Sequence, residues 1–140
     1  MSEKKYVVAK EVAEVEFDRF IEDMDLDFDE SAMDQEELRD YLKHKNKIIK
    51  SIMRGDLVIN ESGEPVYTPR NPGSGYKDPI TFHERTGASL IAMDGKKDSH
   101  NVGKMYAVLS NLCKIHAGNF SKLQGVDIKV CEALFVLLMD

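Results

Sequence analysis

The stretch at residues 34–55, DQEELRDYLKHKNKIIKSIMRG, decides how this chain is read. Leu38, Tyr41, Leu42, Ile48, Ile49, Ile52 and Met53 recur at three- and four-residue spacing, and the stem of Lys45 lies on the same stripe. That period predicts an amphipathic helix over 34–54. Asp34 can accept from the first free N–H groups, and Glu37, three residues on, can return the bond as a capping box. Acids (Glu36, Glu37, Asp40) lead the segment and bases (Lys43, Lys45, Lys47, Lys50, Arg54) close it, so both ends complement the helix dipole. Gly55 supplies a left-handed terminating turn.

C-terminal to this helix, residues 57–60 and 65–68 are β-prone runs around ESGE, which predicts a hairpin with a four-residue turn. Pro65 suggests that the second run is an edge strand. Residues 69–79 hold three of the four prolines together with Gly73 and Gly75, so a mobile loop is expected there. ITFHE at 80–84 would return as a third strand. A short helix is expected from Thr86 or Ser89 through Leu90, Ile91 and Met93 to Gly95. A second, capped by Asp98 or Ser99, would carry Val102, Met105, Tyr106, Leu109, Leu112, Cys113 and His116 on one face and stop at Gly118. The last runs from about Asp127, with Ile128, Cys131, Leu134, Phe135 and Leu138 as its stripe. Val130, Val136, Leu137 and Met139 widen that stripe, and a broad apolar face is either deeply buried or meets another protein.

Upstream of the deciding stretch the periodicity is mixed. Residues 6–24 predict a strand-like or irregular start followed by a short helix. The expected fold is α+β: a mostly helical single domain with a small antiparallel hairpin or three-stranded sheet in the middle. Residues 1–33 would form an acidic, partly flexible N-terminal segment, and 34–140 the globular domain.

Charge is unevenly distributed. Residues 14–40 carry 13 acids and two arginines, whereas the whole 140-residue chain has a net charge of −6. An acidic segment on a mildly basic body can fold back on itself or recruit a basic partner. No concentrated Lys/Arg run suits a nucleic-acid backbone, so nucleic acid is not an expected partner. The longest apolar run, seven residues at 133–139, is far short of the roughly 20 a membrane-spanning helix needs. With no signal-like N-terminus, a cytoplasmic location is expected, with Cys113 and Cys131 as buried thiols.

The acidic stretch DMDLDFDESAMDQE at 23–36 raises a calcium alternative. Asp25, Asp27, Asp29 and Glu36 fall at loop positions one, three, five and twelve of an EF-hand. Glu30 stands where the sharp turn needs Gly, and Ala32 where a branched apolar residue usually packs. The competing readings are a solvated lead into the capped helix and an anionic surface for a basic partner. Zinc is disfavoured: Cys113 and His116 are three apart, but no CxxC pair exists. No catalytic residue is assigned. His83 and Glu84 are adjacent on a predicted strand and would point to opposite faces. NPGSG at 71–75 lacks the GK[ST] of a phosphate loop. No cofactor is expected.

The middle and C-terminal parts resemble a known family. KIIKSIMRGDLVINESGEPVYTP (47–69), ITFHERTGASLIAMDG (80–95) and two closing helices joined by GNFSKLQGVDIKV (118–130) are similar, in pattern and order, to tail assembly chaperones of long-tailed phages and Mu-like prophages. The resemblance covers roughly residues 38–140. It implies a non-enzymatic protein of the host cytoplasm that binds the tape measure protein, keeps it soluble and assists tail tube assembly. It also implies absence from the finished virion, and contact with the tail tube protein through a longer frameshifted product. Self-association is a further expected interaction. Met and neighbouring apolar side chains repack readily, which suits a client-holding surface. Met93, Met105, Phe135, Leu138 and Met139 are the candidates. The alternative is an acidic regulatory binding module, with calcium held by the 25–36 segment.

Overall fold

A computed structural model describes residues 6–88, 91 and 101–139. It is α+β and mostly helical, with one small antiparallel sheet. Three elements open the chain: helix α1 (Lys10–Asp23), a 3-10 turn (Glu30–Ala32) and helix α2 (Gln35–Arg54). Strands β1 (Leu57–Ile59), β2 (Pro65–Tyr67) and β3 (Ile80–Thr81) follow. The remaining helices are α3 (Asn101–Cys113), the one-turn α4 (Ala117–Phe120) and α5 (Val126–Leu138).

Helix α2 forms as its sequence dictates. The Asp34 carboxylate accepts from Glu37 N–H at 2.8 Å, and the Glu37 carboxylate accepts from Asp34 N–H at 3.1 Å. Gly55 ends the helix at φ +86°, a conformation that only glycine adopts at no steric cost. Tyr41, Ile48, Ile49 and Ile52 are buried along the inner face.

The start of the chain is an irregular 6–9 followed by a helix, which bears out one form of the expectation and corrects the strand-like one. Residues 10–23 form one continuous helix, and its buried face is Ala13, Phe17, Phe20 and Met24. Val12 and Val15, the β-branched residues that suggested a strand, point outward at 54% and 63% exposure. The division at residue 33 also gives way, because Phe17 and Phe20 belong to the same apolar core as Ile48, Leu57 and Leu134. Arg19 fastens α1 to the hairpin, donating to the carbonyls of Asn60 and Ile59 at 2.8 and 2.7 Å and pairing with Glu16 at 2.7 Å. The acidic stretch beyond α1 is laid down on α2. Phe28 stacks on Tyr41 with ring centres 4.9 Å apart, and Glu30 meets Lys45 at 2.9 Å.

The sheet order is β1-β2-β3. Leu57 pairs with Tyr67, Ile59 with Pro65, and Tyr67 with Ile80. β2 is therefore the central strand, and Pro65 is not on an edge. The proline is tolerated because it opens the strand, where its missing N–H removes no ladder bond from the middle, and its carbonyl still accepts from Phe82 N–H at 2.8 Å. Leu57, Ile59, Tyr67, Ile80 and Phe82 face the core, while Val58 stays 56% exposed. The third strand is shorter than ITFHE: its pairing ends at Thr81, and His83 N–H donates instead to the Leu112 carbonyl at 3.2 Å.

At the C-terminal end, α3 stops at Cys113 and Lys114 takes φ +59°. His116 is thus not on the α3 stripe. It caps α4, its Nδ1 accepting from Gly118 N–H at 3.0 Å, and Gly118 lies inside that turn. Helix α5 settles the question of its broad face mostly by burial, with Val130, Cys131, Ala133, Leu134, Leu137 and Leu138 all in the core. Gly87, Ala88 and Ile91 are helical. The rest of the helix expected around Met93, and the caps at Asp98 or Ser99, lie outside the described residues.

Candidate partner-binding groove

Where the acidic stretch crosses α2 and reaches the end of α5, a groove of about 330 Å³ remains open. Phe28, Met33, Tyr41, Val136 and Leu137 form its apolar floor and walls, and Glu37, Asp40 and His44 give it polar positions. Each element contributes by its periodicity. Residues 37, 40, 41 and 44 repeat at helical spacing on α2; on α5, the half-buried Val136 and the edge of the buried Leu137 close the groove. Phe28 and Met33 are the apolar residues interleaved among the acids, and packing them beside Tyr41 is what shapes the groove.

Electrostatics follow from this placement. Burial, helped by Glu30 and Asp18, pushes the Tyr41 hydroxyl up to about 12, so it stays protonated and able to donate. Burial, followed by the nearby charges of Lys47 and Lys43, lowers His44, which favours the neutral imidazole at physiological pH. His44 Nδ1 is buried and finds no hydrogen-bond partner among the described residues. An unpaired buried polar atom beside an apolar floor is the kind of position that a bound side chain can satisfy. The groove thus sets two carboxylates, a tyrosine hydroxyl and an imidazole around an apolar floor.

Of the residues expected to hold a client, Met93 lies outside the described region. Leu138 is buried at 1% exposure and packs inward, which corrects its assignment as a surface contact. Met105, Phe135 and Met139 are partly buried against the core and do not line the groove. The α5 stripe is visible in the sequence; of its half-buried members, Val136 is the one that lines the groove. The groove residues Phe28, Met33, Tyr41 and His44 went unnoticed as a site. Their signal was the apolar residues at 28 and 33 punctuating an acidic run just before a capped helix.

The calcium arrangement is not formed. The Asp29 carboxylate is committed to Ser31, accepting from its N–H at 3.1 Å and its hydroxyl at 2.7 Å, and these bonds hold it below the usual carboxylate range. Glu36 sits in the first turn of α2, beyond the cap at Asp34. Among the described residues no group of three or more His, Cys, Asp or Glu side chains is placed to hold a metal ion. Cys113 and Cys131 are buried free thiols. Burial first, and then neighbouring Cys131 and Asp127 respectively, raise them well above the ordinary thiol value. His83 pairs with Glu64 at 2.8 Å rather than with its sequence neighbour Glu84.

The Gly-rich loop at 69–79 has an occupant from within the chain. Asp127, fully buried in the first turn of α5, accepts from the Tyr67 hydroxyl at 2.6 Å, Arg70 N–H at 2.8 Å, Asn71 N–H at 3.0 Å and the Ser74 hydroxyl at 2.7 Å. The donors that such a loop could aim at a phosphate are already taken, four by this carboxylate and the Gly73, Ser74 and Gly75 N–H groups by Asn71 and Lys122. The loop is anchored at that point, in contrast to the mobility expected of it.

Among the described residues no helix is long and apolar enough to cross a membrane. Comparison of the chain with protein-family models, with curated proteins and with solved structures found no match.

Proposed function

We propose that this protein is a non-enzymatic tail assembly chaperone of the phage and prophage type, and that it holds helical segments of a tape measure protein in the groove between the acidic stretch, α2 and α5. The observation that carries the reading is the groove itself, with an apolar floor bounded by Glu37 and Asp40. A tape measure protein is long and helical and exposes apolar stripes. A stripe flanked by Lys or Arg matches both the floor and the rim. The acidic outer surface from residue 14 to 40 extends the same charge preference and repels acidic chains. The resemblance of residues 38–140 to the tail assembly chaperones supplies the biological setting: the host cytoplasm, release before virion completion, and tail tube contact through a longer frameshifted product.

Co-expression tests the reading. The tape measure protein is produced with this chain, and its soluble fraction is measured against a Met33→Arg, Asp40→Lys variant. The wild-type chain raises the soluble client and co-purifies with it, and the variant does neither. A client whose solubility is unchanged by the wild-type chain sinks the proposal.

A further inference from the structure

A second cleft lies at the other end of α2. It has a volume of about 230 Å³ and an apolar floor of Gly125, Val126 and Val130, and it is surrounded by Lys47, Lys50, Arg54 and Lys129. Like charges gathered around apolar surface repel one another and leave that surface wet, so the arrangement costs free energy until an anionic partner covers it. Among the described residues, Lys47, Lys50, Arg54 and Lys129 form no salt bridge; Arg54 lies over the Tyr6 ring, 6.0 Å from its centre, and its charge also reaches Asp56.

The same chain carries a surface of the opposite kind. The outer face of α1 presents Glu11, Glu14, Asp18 and Glu22, all exposed and none in a salt bridge among the described residues, around the exposed Val12 and Val15. The acids are spaced three, four and four residues apart. Lys47, Lys50 and Arg54 are spaced three and four apart. Two rows with this spacing advance by the same roughly 5.4 Å per helical turn, so acids on one helix fall opposite bases on the other. The exposed valines in the middle of the acidic row match, in chemistry, the apolar floor at Val126 and Val130.

We infer that two copies of this chain associate, the acidic α1 face of one seating in the cation-rimmed cleft between α2 and α5 of the other. The α1 face and the cleft are different surfaces, so the contact is head-to-tail. It leaves a free cleft on one copy and a free α1 face on the other, and growth stops only by ring closure. Charge complementarity sets the pairing and makes it depend on salt, because the rim groups are exposed (Lys50, Lys129) or half-exposed (Lys47, Arg54) and screened within about 10 Å at 0.1 M ionic strength. The client groove lies at the other end of the α2–α5 pair from the cleft. The inference stands independently of the chaperone reading.

The test is sedimentation velocity on the full chain at about 100 µM, in about 50 mM and about 500 mM salt, where screening differs several-fold. The wild-type chain sediments as dimers and larger species at low salt and shifts to monomer at high salt. A cleft-reversed variant (Lys47→Glu, Lys50→Glu, Lys129→Glu) and an α1-reversed variant (Glu14→Lys, Asp18→Lys, Glu22→Lys) are each monomeric at low salt. Mixed in equal amounts they associate again, because each now carries the complement of the other. That recovery requires both variants to be folded. A wild-type chain that is monomeric at both salts overturns the inference. So do reversed variants that associate like the wild type, or a mixture that stays monomeric.

Discussion

The Asp127 carboxylate lies 2.6 Å from the Tyr67 hydroxyl, joining the first turn of α5 to the central strand β2 across 60 residues of sequence. Together with Arg70 N–H, Asn71 N–H and the Ser74 hydroxyl, this contact turns a proline- and glycine-rich stretch into an anchored loop. Removing the carboxylate leaves two buried hydroxyls, of Tyr67 and Ser74, and two part-buried N–H groups without their acceptor. Asp127→Ala should therefore cost about 3–5 kcal/mol in denaturant unfolding, whereas Tyr67→Phe, which leaves three donors on the acid, should cost about 1–2 kcal/mol.

The same network gives a pH signature. Burial acts to raise the Asp127 carboxyl, but the bonds from Tyr67, Arg70, Ser74 and Asn71 outweigh it and hold the group below its ordinary value. The unfolded chain then takes up a proton first. The stability from Asp127 is complete above the unfolded value near 4 and is lost as pH falls through the lower folded value. Thermal melts between about pH 5 and pH 2 should show a midpoint that falls on acidification, and Asp127→Asn should flatten that fall.

Helix α1 is expected to behave as core rather than as an acidic tail. Phe17 is 1% exposed and packs with Phe20, ring centres 5.9 Å apart. Phe17→Ala should lower unfolding free energy by about 3–5 kcal/mol, comparable to a core deletion anywhere else in the chain. A change under about 1 kcal/mol would mean that the helix is not part of the cooperative unit.

Gly63, at φ +83° in the hairpin turn, has the side chain of Asp23 directly against it. Gly63→Ala adds a methyl group where the backbone disfavours any side chain and α1 leaves no room. A loss of more than about 1 kcal/mol is expected, with the hairpin and the end of α1 losing amide-exchange protection together.

Calcium at millimolar concentration should leave the melting midpoint unchanged and give no binding heat in calorimetry. Asp29 is bonded to Ser31, Glu30 is paired with Lys45, and among the described residues no three ligand side chains converge on a metal position. A saturable calcium isotherm lost on Asp29→Ala would reverse this assignment.

What could be read from the sequence depended on how local the signal was. The α2 helix, its capping box and its glycine stop are all encoded within 22 consecutive residues, and the structure matches them. The hairpin was similarly local. The α1 face was obscured because the outward positions Val12 and Val15 are as apolar as the inward ones, and only packing against α2 distinguishes Ala13, Phe17 and Phe20. Pro65 suggested an edge because composition cannot report that β3 returns to the far side of β2. His116 shows a similar limit: its period fits α3, yet Lys114 turns the chain and makes it the cap of α4. The groove and the Asp127 network were not legible, since both join residues from distant parts of the chain. Each was visible only as an acid or an apolar residue of unremarkable spacing.

The most direct test of client holding is a site-specific photo-crosslink made during co-expression with the tape measure protein. A benzophenone side chain replaces Val136 in the groove or, as a control, Val58 on the exposed face of β1. Capture of the tape measure protein from position 136 and not from position 58 is the predicted result. Equal capture from both positions, or none from 136 while the client is present and soluble, would contradict the account.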